Sequence, residues 1–197
     1  VTKDARLCGT TASLCGIEKA GFEGNDEAMS HAIDLDVMLH AYMLMQSGIP
    51  ILYSGDEIGQ VNDYSYKKDD NKKFDSRYLH RGAMNWDNAK KVDDPETVEG
   101  RVYGRLQTIE KLRKSHKCFV STADAWTLDT HDPSVLCLGR SIDDEKVIGL
   151  FNFSEMGKKA AINETDGEYI DMITGNKVVA KDVEIPGYGF YLLIRAN

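Results

Sequence analysis

The chain reads as an α/β segment followed by an all-β segment. Three observations carry that reading. Apolar residues recur at helical spacing through about residue 117, and a short continuous apolar run (49–53) comes directly after a helix and a glycine. After Cys118 the spacing switches to two, in short runs separated by turn residues. The first pattern is that of amphipathic helices, the second of a strand buried on both faces of a parallel sheet, the third of half-buried antiparallel strands.

Residues 10–19 form a short, small-residue helix candidate closed by Gly21 and Gly24. Asn25 or Asp26 can cap a stronger helix over about 27–47, where Ile33, Val37, Ala41 and Leu44 make a stripe widened by Leu35, Met38, Tyr42 and Met45. Gly48 is placed to stop it as a left-handed glycine. Ile49, Pro50, Ile51, Leu52 and Tyr53 then predict a buried strand, the β half of a βα repeat. In such repeats the loop after the strand is where ligands sit. That loop (54–96) is long, rich in Asp and dotted with Tyr64, Tyr66, Tyr78 and Trp86. Structureless connections of this length are usually functional. Pro95, Glu96 and Thr97 open another helix to about Lys117, with Val98, Val102, Leu106, Ile109 and Leu112 on one face. Its last turns carry Lys111, Arg113, Lys114 and Lys117, which suit the negative helix pole. Strands are predicted over 134–141, 146–153, 158–163, 168–173 and 188–195, as in an antiparallel sandwich. The domain boundary falls near residue 118, giving 1–117 and 118–197.

Composition narrows the function. Lys and Arg number 24 against 32 Asp and Glu, a net charge of −8. An acidic chain is a poor general ligand for nucleic acid, whose binding rests on displacing counterions from phosphate. No window approaches the ~20 apolar residues of a membrane span. The four cysteines (Cys8, Cys15, Cys118, Cys137) have neither zinc-ligand spacing nor disulfide-scaffold density, so reduced thiols in the cytoplasm are expected. The opening residues, Val1 to Arg6, run without a methionine into a small apolar stretch and read as the middle of a longer polypeptide.

Side chains that can carry chemistry each have a plainer reading. Asp56 and Glu57 come just after the predicted strand, but adjacent carboxylates diverge and serve as solvent or capping groups. Asp69, Asp70 and Asp75 lack EF-hand spacing. Arg77, between acidic and aromatic residues, can clamp a carboxylate or sugar hydroxyls, or make a surface salt bridge. His80 and Arg81 have no activated nucleophile nearby, and the five histidines (31, 40, 80, 116, 131) have no metal spacing. Tyr64, Tyr66, Tyr78 and Trp86 can stack on sugars or pack the loop. Residues 10–16 lack the spacing of a phosphate loop. No catalytic constellation emerges from these residues alone, and neither metal nor cofactor is expected.

The run G-I-P-I-L-Y-S-G-D-E-I-G at 48–59 resembles the eighth barrel strand and adjoining loop of the α-amylase family, glycoside hydrolase family 13. The likeness continues through Asn62-Asp63, Asp69-Asp70-Asn71-Lys72 and D-S-R-Y-L-H-R at 75–81, a string similar to that of the amylosucrase branch. D-A-R at 4–6 with Gly9-Thr10, F-N-F-S at 151–154 and P-G-Y-G-F at 186–190 add weaker matches. The resemblance implies the last part of a TIM (β/α)8 barrel, its final strand and helices, followed by an antiparallel β-sandwich C-terminal domain. It implies that Arg77 pairs with an acid at the floor of a sucrose pocket, that Arg6 lies on the acceptor side, and that Asp75 orients Arg77. Tyr78 and Tyr66 stand where the branch has Trp, and Phe74 replaces an acid.

The family's nucleophile, Glu acid/base and third Asp would precede residue 1, so this chain alone is expected to be inactive; a retaining glycosidase needs two carboxyls ~5 Å apart. The implied parent transfers glucose from sucrose to an α-glucan or maltooligosaccharide with retention. An α-glucosidase, α-amylase or sucrose hydrolase of the same family, or a non-catalytic carbohydrate-binding or structural module, are the alternatives. Self-association through an exposed half-barrel is a further expectation.

Overall fold

The structure is a computed structural model and describes residues 8–162 and 168–195. It divides into two compact units. One contains residues up to Asp36 with Leu52–Gly104; the other contains Val37–Ile51 with the residues from Arg105 onward. Arg6 lies outside the described residues.

Over residues 8–115, whose two longest helices each run through both units, Thr10 caps α1 (Thr11–Cys15) by accepting from the Ser13 amide, and Gly16 ends it at φ 104°. A side chain is strained there, so glycine turns one predicted helix into two. α2 (Ile17–Glu23) runs through Gly21 and ends at Gly24. α3 (Asp26–Met45) begins where the Asn25 side chain accepts from the Ala28 amide, 2.9 Å. The predicted stripe of Ile33, Val37, Ala41 and Leu44 is buried throughout. Three 3-10 turns (Asp56–Ile58, Ser65–Lys68, Ser76–His80) and the one-turn α4 (Trp86–Ala89) supply the regular structure of the long loop. α5 (Val98–Ser115) is capped by Thr97, whose hydroxyl accepts from the Gly100 amide, 3.0 Å. Gly59 sits at φ 61°, where a Cβ would already touch Val98 and Val102 at 3.4 Å.

In the second unit, β1 (Asp124–Leu128), β2 (Val135–Ile142), β3 (Glu145–Asn152), β5 (Glu168–Asp171), β6 (Lys177–Val179) and β8 (Phe190–Arg195) make one sheet in the order β1-β2-β3-β8-β5-β6. β4 (Lys158–Ala160) and β7 (Val183–Ile185) make a second, two-stranded sheet. Every pairing among the described residues is antiparallel. Val135, Cys137, Ile148, Leu150, Tyr169 and Leu193 of the large sheet share a core with Ala160, Val183 and Ile185 of the small one. The result is a lopsided sandwich. The other face of the large sheet meets the end of α3: Tyr42 lies edge-on to Phe151 at 5.7 Å, and Met45 packs at Gly149. β3 is therefore buried on both faces.

Two expectations need correction. The run 49–53 is not a strand: it lies in no sheet, and Ile49 and Ile51 are 89% and 81% exposed. A parallel strand draws its hydrogen bonds from neighbours on either side, and no described strand pairs with it. Gly48 does take a left-handed φ of 98°, but α3 has already ended at Met45. Its last carbonyls are instead held by cations. Arg113 donates to the Leu44, Gln46 and Gly48 carbonyls. Arg140, 1% exposed, donates to Ser47 Oγ (2.9 Å), Cys118 O (2.7 Å) and Val120 O (2.8 Å). The predicted strands match in position, while β1, β6 and β7, short or polar on one face, carry too little pattern to show in the sequence.

Replacing Arg140 with Ala leaves those acceptors dry and opens a cavity. The expected loss is about 3 kcal/mol of stability, read as a lower urea midpoint. Arg140→Lys, with a single donor head, should recover only part of it.

Candidate functional site

The long loop is built from Asx turns, in which a carboxylate accepts from the amide two residues on. Asp63 holds the Ser65 amide (2.8 Å), Asp69 the Asn71 amide (2.9 Å) and Asp75 the Arg77 amide (3.1 Å). Hydrogen bonds from Ser65 and Asn71 are the chief reason the Asp63 and Asp69 carboxyls titrate below the usual carboxylate range. Local turns of this kind explain how so polar a segment keeps a shape without a ladder.

At Asp75 the turn is closed a second time. Arg77 Nε donates to Oδ1 (2.8 Å) and Oδ2 (3.0 Å), and Nη2 to Oδ2 (2.6 Å). The Arg77 side chain thereby holds the Asp75 carboxyl down to about 2. Both side chains keep contact with solvent, Arg77 more than Asp75. The clamp engages Nε and Nη2 and leaves Nη1 outside it, so the guanidinium presents a fixed donor edge beyond the pair.

Other contacts tie this loop to the segment before α1. Thr10 N donates to Asn62 Oδ1 (2.9 Å), Asn62 N to Ser13 Oγ (2.9 Å) and Gly9 N to His80 Nδ1 (3.2 Å). Cys8 Sγ lies 3.3 Å from Ser76 Oγ. Asp63 N also donates to Leu79 O at 2.8 Å, which closes the loop on itself. His80 is thus an acceptor for backbone, with Tyr53 edge-on at 5.8 Å, rather than half of an acid/base pair.

The remaining candidates fall into place around these contacts. The Asp56 carboxylate accepts from Tyr53 N and that of Glu57 from Gly55 N, so both serve the turn. Asp69 and Asp70 pair with Lys72 and Lys73. The four aromatics do not form one platform: Tyr78 is flanked by Lys72 and Arg81, Tyr64 carries Lys67, and Trp86 is 71% exposed. Among the described residues no group of three His, Cys, Asp or Glu is placed to hold a metal. No helix among them is long and apolar enough to cross a membrane. Burial pushes the Cys15, Cys118 and Cys137 thiols up to about 12, which disfavours the reactive thiolate. Sequence reasoning did not single out Asn62 as the residue that joins the two segments. An Asn ahead of an Asx turn was the available signal.

No family model matches the chain. It is 27% identical over 152 residues to glucosylglycerate phosphorylase of Escherichia coli strain K12, covering 76% of this chain and 26% of the relative. Among solved structures, a point variant of AmyP in complex with maltotriose matches with a TM-score of 0.69 at 14% identity, over 85% of this chain and 35% of that one. The trehalulose synthase MutB from Pseudomonas mesoacidophila MX-45 matches with a TM-score of 0.66 at 18% identity, over 83% and 38%. The chain therefore spans about a quarter of the curated relative and little more than a third of these structures.

The Asp75–Arg77 pair fixes a pH signature. The folded carboxyl sits below its unfolded value, so the pair's contribution is complete above the ordinary carboxylate range and is lost as pH falls toward about 2. Carbon-detected NMR titration should find Asp75 ionised to about 2, and Arg77→Ala should return it toward about 3.9. In sequence and in fold, this chain is similar to enzymes of the α-amylase family, glycoside hydrolase family 13.

Proposed function

We propose that the chain supplies the sugar-positioning loop and the C-terminal β domain of an α-amylase-family enzyme of the amylosucrase type. Such an enzyme takes glucose from sucrose through a covalent glucosyl carboxylate and passes it, with retention, to an α-glucan or to water. In this reading residues 1–117 belong to the catalytic barrel and 118–197 to the β domain. The nucleophile, acid/base and stabilising Asp come from outside this chain.

The observation that carries the reading is the Arg77 guanidinium, fixed by three bonds to Asp75 while Nη1 stays outside the clamp. A planar donor held in one orientation can engage sugar hydroxyls without first losing its own rotational freedom. Arg6 is assigned the acceptor side. Support comes from the relatives as well: a MutB variant has been solved with the substrate sucrose, and an AmyP variant with maltotriose.

A second reading, transfer of the glucosyl group to phosphate, is favoured by the similarity to a glucosylglycerate phosphorylase over three quarters of the chain. Products separate the two. Sucrose with maltooligosaccharide should yield fructose and a lengthened glucan; glucose phosphate formed only when phosphate is added would select the second reading.

In the enzyme containing this chain, Arg77→Ala should lower sucrose turnover by about 100-fold or more. Asp75→Asn, which keeps the shape but weakens the clamp, should lower it less. Unchanged kinetics in the Arg77 variant would refute the assignment. The 197-residue chain by itself should release no glucose from sucrose or maltotriose, measured by a coupled glucose assay.

A further inference from the structure

Beside the Asp75–Arg77 pair, and not including either residue, lies an open cleft of about 420 Å³. Its walls come from Thr10, Thr11 and Ser13 at the start of α1, Glu18 of α2, and Asn62 and Tyr64 of the loop. That volume is within the roughly 300–1,000 Å³ of small-molecule sites.

One wall is organised rather than merely polar. Asn62 Nδ2 donates to Glu18 Oε2 at 3.1 Å and lies 3.5 Å from the Tyr64 hydroxyl, while Asn62 Oδ1 accepts from Thr10 N. The carboxamide is thereby held at both ends, and it holds one oxygen of the Glu18 carboxylate. A half-buried carboxylate with one oxygen already bonded offers the other as an acceptor of fixed direction. The Thr10 and Ser13 hydroxyls are bonded to each other at 3.2 Å, and the Asn62 amide donates to Ser13 Oγ. These groups are mutually set, so the rim does not need to reorganise around a ligand. Leu14 and Tyr64, both exposed, add apolar surface at the same opening.

The chemistry selects a ligand class. A lining carboxylate repels anions. A single carboxylate, with one oxygen already taken by an amide donor, is a weak cation site. Hydroxyls, an amide and an oriented carboxylate, beside an apolar ledge, match a molecule with hydroxyl donors on its edge and C–H groups on its face. We propose that this cleft binds a neutral sugar ring, with Glu18 accepting from ligand hydroxyls and Asn62 acting as the residue that positions Glu18. The inference rests on the carbohydrate function proposed for the chain, but its test does not require glucosyl transfer.

Maltose titrated into the full 197-residue chain and monitored by amide NMR is the direct experiment. Shifts are expected at Thr10, Thr11, Glu18, Asn62 and Tyr64. Glu18→Gln should weaken maltose binding roughly tenfold, and Asn62→Ala should weaken it comparably. Thr11→Val, which leaves the Asn62 bonds in place, serves as a second variant if either of these fails to fold, and it too should weaken binding. Absence of saturable shifts with maltose, shifts confined to Arg77 and its neighbours, or unchanged affinity in both Glu18→Gln and Thr11→Val would each overturn the proposal. Maltose binding at the cleft together with a longer enzyme that transfers no glucose would defeat the proposed function and leave this site standing. Intact transfer with a cleft indifferent to maltose would do the reverse.

Discussion

The second unit depends on one interaction above the others: two guanidiniums converging on the C-terminal end of α3. A helix end leaves its last carbonyls without intrahelical partners and carries a partial negative charge. Here those oxygens receive Arg113, while Arg140 bonds Ser47 just beyond them and the Cys118 and Val120 carbonyls after α5. One arginine of β2 therefore fixes the end of α3, the exit from α5 and the sheet in a common frame. Burial is the main reason both guanidiniums hold their protons less tightly than usual, and for Arg113 the nearby charge of Arg140 adds to it. Such burial is tolerable because the arginine fork offers five donors and carbonyl oxygens meet them. His116 and Lys117 add a neighbouring clasp, with both Glu145 oxygens engaged, at 2.7 and 3.0 Å. With this corner set, the remaining strands of the sandwich need only ordinary apolar packing.

The first unit solves the opposite problem, since its long loop has no sheet to lean on. Its order comes from short-range carboxylate turns joined by a few long-range amide contacts. Gln60 donates to Ala83 O and accepts from Asn85 N, Asp63 N reaches Leu79 O, and Asn62 and His80 hold the segment before α1. The candidate site inherits that logic. Arg77 is oriented by a residue two positions away, so its direction is a property of the local turn and not of a distant partner. An exposed ion pair contributes little to stability. Its value lies in fixing one geometry.

Patterns that depend on neighbours in sequence were legible; those that depend on neighbours in space were not. The α3 stripe and the Asn25 cap arise from a period and a side chain three residues away, and both are as expected. The weak signatures at 151–154 and 186–190 turn out to be two halves of one lock. Asn152 donates to the Met156 and Pro186 carbonyls, Tyr188 N reaches Ser154 O, and a Cβ on Gly187 would strike Glu155. Neither half shows this purpose by itself. Nothing local to Arg140 announces that three oxygens await it. At the site, Asp75 beside Arg77 was readable as a pair, whereas Asn62 was hidden because its partners lie 44 to 52 residues away.

The run 49–53 shows where a sequence pattern stops being sufficient. Its composition is that of a buried strand, and the resemblance at 48–59 rests on it, yet Ile49 and Ile51 stand in solvent. Strand propensity measures how well side chains suit a pleated, packed surface, not a backbone preference the segment can express alone. A helix such as α3 closes its hydrogen bonds within itself and can form on its own stripe and caps. A parallel strand closes none, so its state belongs to the sheet. The same asymmetry accounts for the rest of the chain: β2 and β3 form where a turn at Asp143 and Asp144 brings each its partner, and 49–53 remains outside any sheet where no described strand supplies one.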